Sequence, residues 1–80
     1  MIKLKLTRHF EDMMQYRGVD MDHVKKAMRE PNSTEPTYDG KMKNKKVLED
    51  GRTITVVHSA EGFRNADARV MITAYYSSNE

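Results

Sequence analysis

The chain has 80 residues, 38% of them hydrophobic and 32% charged, and its 14 Lys and Arg against 12 Asp and Glu give a net charge of +2. A chain this short cannot enclose two cores, so one domain over residues 1–80 is expected. This charge surplus is too small to indicate, by itself, that the protein binds a nucleic acid. The absence of cysteine excludes disulfides and thiolate metal sites, and it favours a reducing cytoplasm.

After Met1, residues 2–6 alternate apolar and basic side chains. A signal peptide or a membrane span would need a continuous apolar run, so neither is expected, and no membrane partner is expected either. A period of two is instead typical of a strand with one buried side. The pattern predicts an edge strand over residues 2–6, with Lys3 and Lys5 facing solvent.

The next stretch predicts two short helices joined by a glycine. Thr7 is a suitable N-cap for a helix over residues 8–17, and Gly18 can end that helix in a left-handed conformation. Asp20 is a suitable N-cap for a second helix that ends near Arg29 or Glu30. The polar, proline-containing run that follows, residues 31–36, predicts a loop.

The remainder of the chain reads as short strands separated by turns. Asp39-Gly40 and Asp50-Gly51 are turn dipeptides, and a longer polar loop is expected over residues 60–68. The predicted strands lie near residues 37–38, 45–49, 52–59 and 69–76. The sequence therefore predicts an α+β fold, with two N-terminal helices packed on one face of a four- to five-stranded antiparallel sheet.

Alternation within the last two predicted strands assigns their side chains to two sides of the sheet. In the first of them Ile54, Val56 and His58 share the side facing the helices. In the second, the helix side is expected to hold Val70, Ile72, Ala74 and Tyr76, and the other side Arg69, Met71, Thr73 and Tyr75. The side away from the helices is where a ligand could lie.

Nearly the whole chain resembles a family of small bacterial and phage domains catalogued as a domain of unknown function. The resemblance is carried by Thr7-Arg8-His9-Phe10 at the start of the first helix and by Arg17-Gly18-Val19 at its end. Two positions depart from the family pattern. Phe10 replaces a small residue, and Met13 replaces a frequent arginine that could have bound phosphate.

Domains of that family are similar in fold to the barnase, EndoU, colicin and RelE ribonucleases. The resemblance implies an RNA-cleaving toxin, or a relative that has lost the activity, with RNA or the ribosome as its target and an antitoxin protein as its partner. Metal-independent cleavage needs a proton acceptor, a proton donor and cations beside the phosphate, and no cofactor.

Three residues are candidates for proton transfer. His9 matches the family pattern, His58 lies near a strand end, and Tyr75 could donate a proton or stack on a base. Structural roles remain open for both histidines. His9 could pack at the strand–helix junction, His58 could be a hydrogen-bonded core residue, and His23 is expected on the surface.

Several basic residues before and within the predicted strands lie close together and could contact an RNA backbone. They are Lys43, Lys45, Lys46, Arg52 and Arg69, with Arg64 as a further candidate at the rim. The sheet face away from the helices could equally be only solvated. Arg17, directly before a helix-ending glycine, could bond helix carbonyls or a carboxylate. The wide spacing of the histidines predicts no metal site.

A non-catalytic role is the competing hypothesis. The weakly charged open face and the single family-matched histidine would also suit a phage or mobile-element protein that binds another protein through its sheet face or a sheet edge.

Overall fold

A computed structural model of the chain describes residues 3–37, 39–60 and 68–78. The elements in chain order are β1 (Lys3–Leu6), α1 (Arg8–Arg17), α2 (Met21–Arg29), β2 (Ser33–Pro36), β3 (Met42–Val47), β4 (Arg52–Ala60) and β5 (Ala68–Ser78). The strands form one five-stranded sheet in the order β1-β5-β4-β3-β2. The fold class is therefore α+β, as the sequence predicts.

The sheet is mixed, which corrects the prediction of a purely antiparallel one. β2, β3, β4 and β5 pair antiparallel in succession, but β1 pairs parallel to β5, with Leu4 opposite Arg69. A tight turn forces neighbouring strands to run antiparallel, whereas β1 and β5 are separated by most of the chain and have no such constraint. β1 is an edge strand, as expected.

The two helices follow the predicted local signals. The Thr7 hydroxyl accepts a hydrogen bond from the Phe10 amide at 3.1 Å, and the Asp20 carboxylate accepts one from the Asp22 amide at 2.9 Å. Gly18, at φ 66° and ψ 35°, ends α1 in the left-handed region. The next amide, that of Val19, donates to the Met14 carbonyl at 2.9 Å, so the chain turns at once into α2.

β2 was not predicted. It occupies part of the run expected to be a loop, and the strand expected near residues 37–38 is absent at Thr37, while Tyr38 lies outside the described residues. All four residues of β2 are exposed. Such a strand has no apolar alternation to reveal it, because only its backbone pairing with β3 holds it in place. The predicted 60–68 loop falls almost wholly outside the described residues.

The hydrophobic core lies between the helices and one side of the sheet. α1 packs on β5, while α2 packs on β3 and β4. The core residues are Phe10, Met14, Val19, Val24, Ala27, Met28, Leu48, Ile54, Val56, Met71 and Ala74. Burying each large apolar side chain contributes about 1.5–3 kcal/mol. This burial holds the two helices against the apolar side of the sheet.

A β-bulge interrupts β5. Val57 pairs with Thr73, but the next residue of β4, His58, pairs with Met71, so one residue of β5 is skipped. An extra residue reverses the alternation on one side of the bulge. Ala74, Tyr75 and Tyr76 keep their predicted sides, whereas residues 69–72 exchange theirs.

Replacing Gly18 by alanine is expected to lower the free energy of unfolding by about 1–2 kcal/mol, because a β-carbon disfavours the left-handed backbone. A β-carbon there would meet no atom within 4 Å, so the cost is conformational and not steric. Urea unfolding measures it. Gly18→Asn should lose less, and Gln15→Ala, on the exposed surface of α1, should change stability by under about 0.5 kcal/mol. Equal losses in Gly18→Ala and Gln15→Ala would contradict this.

Candidate functional site

No described element covers the sheet side that faces away from the helices. We call this side the open face and define it by Glu35, Lys43, Lys45, Thr53, Thr55, Val57, Ile72 and Tyr75. The residues next to them in sequence point to the other side of the sheet, and these include the core residues Ile54, Val56 and Ala74. Strand alternation therefore places a mixed polar, basic and aromatic surface behind the apolar one.

A row of three side chains crosses the middle of the open face. Lys45 of β3, Thr55 of β4 and Tyr75 of β5 are direct cross-strand neighbours. Thr55 is only 2% exposed although no helix covers it, so its larger neighbours on the same side shield it. Tyr75 is half-buried. The row consequently presents an ammonium group and an aromatic ring on two sides of a small hydroxyl residue.

The cations on and beside the open face differ in their pairing. Lys41 contacts Asp39 at 2.7 Å, while Lys45 lies 3.8 Å from Glu35. Hydrogen bonds from Lys41 and Thr37 lower the pKa of Asp39 to about 2, which keeps this carboxylate ionised. Within the described part of the chain, Lys43 has no carboxylate at ion-pair distance. Lys43 is therefore the cation with most freedom to contact an external anion.

His58 lies on the helix side of the sheet, in a buried hydrogen-bonded chain. Its Nε2 donates to the Asn44 side-chain oxygen at 2.9 Å, and its Nδ1 accepts from Arg69 Nε at 3.0 Å. The Asn44 amide group donates in turn to the Ala27 carbonyl of α2 at 3.1 Å. This chain satisfies three polar groups that would otherwise be costly to bury, and it ties α2 to β3, β4 and β5.

The surroundings of His58 disfavour its charged form. Burial, followed by the nearby Arg69 guanidinium, lowers the pKa of His58 from 6.5 to about 4. The ring is neutral at pH 7 and both of its nitrogens are engaged. The arrangement matches the structural role left open for His58 better than the catalytic one.

Arg69 does not share the open face with Tyr75, which corrects the sequence-based placement. The bulge in β5 puts Arg69 on the helix side, where it contacts His58. The prediction assumed unbroken alternation from Arg69 to Tyr75. Nothing local in the sequence marks the bulge, because the pairing of β5 with β4 creates it.

The other predicted site residues are dispersed. His9 is exposed near the start of α1, and Lys46 lies on the helix side of β3, opposite Ile54. Arg52 is also on that side, with its guanidinium carbon 4.3 Å from the centre of the Tyr76 ring. Of the five predicted RNA-contacting cations, the open face thus holds Lys43 and Lys45. Arg64 lies outside the described residues.

Arg17 bonds the edge of β5 beyond the end of β1. β1 pairs with β5 only as far as Met71. Further along β5, Arg17 donates to the Ala74 carbonyl at 3.2 Å and to the Thr73 hydroxyl at 3.3 Å. These partners correct the sequence-based prediction for Arg17, because the carbonyl that it bonds belongs to a strand and not to a helix.

One polar cluster was missed by the sequence analysis. The Tyr76 hydroxyl lies 2.8 Å from His23 Nδ1 and accepts a hydrogen bond from the Asp20 amide at 2.9 Å. The two rings meet edge to face, with their centres 5.7 Å apart. Alternation in the sequence already placed Tyr76 on the side that faces the helices, but it did not indicate which helix the ring would contact. These contacts fasten the start of α2 to the end of β5.

Comparison with known protein families, with curated proteins and with solved structures gives no match. The family resemblance noted in the sequence therefore stays a prediction. Among the described residues no three potential ligands are grouped so as to hold a metal ion. Neither α1 nor α2 has the length and apolar character needed to cross a bilayer.

The low pKa of His58 makes stability depend on pH. Between pH 6.5 and 4 the unfolded chain binds a proton at His58 that the folded chain does not, so stability is full above pH 6.5 and falls as the pH drops. The expected loss from pH 7 to pH 4 is about 3 kcal/mol at most. Urea unfolding at several pH values measures it.

His58→Gln should remove most of this dependence, and His9→Gln, at an exposed position, should retain it. Asp39 and Asp50 have lowered pKa values, so their contributions are lost only at more acidic pH. A His58→Gln variant with the same pH profile as the parent between pH 4.5 and 7 would contradict the assignment.

Proposed function

We propose that this domain binds single-stranded RNA on its open face. The observation that carries the proposal is the presence of Tyr75, Lys43 and Lys45 on the one sheet side that no described helix covers. Single-stranded nucleic acids bind where aromatic rings stack on bases and nearby cations contact the backbone. The open face offers both kinds of group on a scaffold of three adjacent strands.

The rigidity of the platform supports the same function. β3 and β5 both pair with the central strand β4, and Thr55, between Lys45 and Tyr75, is buried. A backbone that is already paired needs no reordering when a ligand binds, so only the side chains of the open face lose conformational freedom. The net charge of +2 predicts moderate, salt-sensitive binding.

Binding has better support than cleavage through the predicted residues. His9 is exposed on α1, Tyr75 is on the open face, and His58 is buried on the helix side with a low pKa. A general acid and a general base must both reach the same phosphate. These three residues are divided between the two sides of the sheet, so they do not form such a pair.

Tyr75→Ala should weaken binding of a short single-stranded RNA by about 1–3 kcal/mol, because the stacking surface is lost. Tyr75→Phe should bind nearly as well as the parent, because the ring remains. Fluorescence anisotropy with a labelled oligonucleotide measures the affinities. Tyr16→Ala is the matched control, since Tyr16 is 92% exposed on α1. If Tyr16→Ala weakens binding as much as Tyr75→Ala does, the RNA does not lie on the open face.

Lys43→Ala should weaken RNA binding and reduce its salt dependence, whereas Lys46→Ala should do neither. The two changes alter the net charge equally and occur on one strand, but Lys46 lies on the helix side. Losing one phosphate contact reduces the slope of log K against log salt concentration by about 0.7 for a single strand. Equal slopes in the two variants would mean that only overall charge matters, and would overturn the proposed orientation.

A further inference from the structure

A hollow of about 410 Å³ lies at one end of the open face. Val57 and Ile72 form its apolar floor, and Pro36 adds further apolar surface. The polar side chains around that floor are those of Glu35, Thr37, Asp39, Lys41 and Lys43. The volume falls within the range of about 300–1,000 Å³ that is typical of small-molecule sites. An apolar floor with a few polar groups at the rim is the lining expected for a flat heteroaromatic ring.

The β-bulge builds this floor. Unbroken alternation would put Ile72 on the helix side, but the skipped residue leaves Ile72 beside Val57 on the open face. Glu35, Lys43 and Val57 are direct neighbours across β2, β3 and β4. The row that contains Tyr75 lies two residues along β4, about 7 Å away. A base in the hollow and a base on Tyr75 would therefore be close along one strand.

The two carboxylates at the hollow differ in availability. Asp39 accepts hydrogen bonds from Lys41 and Thr37. Glu35 has Lys45 at 3.8 Å, beyond hydrogen-bond distance, and no described group donates a hydrogen bond to its side chain. The oxygens of Glu35 can therefore accept two hydrogen bonds from a ligand in the hollow.

We propose that the hollow binds one unstacked guanine base of a single-stranded RNA, with Glu35 accepting hydrogen bonds from guanine N1–H and the N2 amino group. This inference rests on the proposed RNA-binding function and specifies the base that the open face selects. Guanine alone among the four RNA bases has two adjacent donors on its Watson–Crick edge, which match the two oxygens of a carboxylate. Lys43 at the rim contacts the neighbouring phosphate.

The other bases fit the carboxylate less well. Adenine and cytosine each present an amino group next to a ring nitrogen acceptor, and uracil presents its N3–H between two carbonyl oxygens. Each of them would bring at least one acceptor toward the negative oxygens of Glu35. Selectivity therefore comes from repulsion of the wrong base as well as from attraction of the right one.

The test compares four labelled RNA heptanucleotides at 50 mM salt by fluorescence anisotropy. One contains only uridine, and the others carry a single central guanosine, adenosine or inosine. The parent protein should bind the guanosine oligonucleotide at least about fivefold more tightly than the adenosine one, the discrimination that one bidentate contact provides. Inosine, which lacks the N2 amino group, should fall between them.

Glu35→Gln should reduce the preference for guanosine below about twofold while leaving the affinity for the uridine oligonucleotide near or above that of the parent. Glu11→Gln, on α1, is the matched control and should keep the preference. Equal affinity of the parent for guanosine and adenosine oligonucleotides, or a preference that survives Glu35→Gln, would overturn the guanine site while leaving RNA binding in place. Binding of none of the four oligonucleotides would overturn the proposed function itself.

Discussion

The structure depends on both helices packing against the same side of the sheet. Phe10, Val24 and Ile54, from α1, α2 and β4, are fully buried in one shared core. A chain of 80 residues has apolar side chains for a single core. Because Gly18 reverses the chain directly after α1, α2 returns to the side that α1 already covers. The opposite side then carries Lys43, Lys45 and Tyr75, and this division creates the surface on which RNA binding is proposed.

The bulge in β5 changes which side of the sheet the side chains face at one end of that strand. On one side of it Tyr75 stays on the open face and Tyr76 fastens α2. On the other side Arg69 turns inward to His58, and Ile72 turns outward to the hollow. One inserted residue thus moves a cation away from the open face and supplies an apolar contact in its place. The open face is accordingly less basic than simple alternation would make it, and more able to hold a base.

Local signals predicted much of this fold because they act within a few residues. The caps Thr7 and Asp20, the left-handed Gly18 and the alternation in β4 each depend on neighbouring positions. The bulge, the parallel pairing of β1 and the exposed strand β2 depend on which strands meet, and no short segment encodes that. The candidate site divides in the same way. Lys43, Lys45 and Tyr75 were predicted from the sequence as candidate site residues, and they share the open face. The contacts of His58 and Arg69, and the hollow with its Ile72 floor, required the strand register.

The most direct test of the account is an NMR titration of ¹⁵N-labelled protein with a short single-stranded RNA. If RNA lies on the open face, the largest amide shift changes will fall in β3, β4 and β5, around Lys43, Thr55 and Tyr75, and the exposed positions of α1 and α2 will change little. Shift changes concentrated on the helices, or no changes at RNA concentrations well above that of the protein, would contradict the central claim.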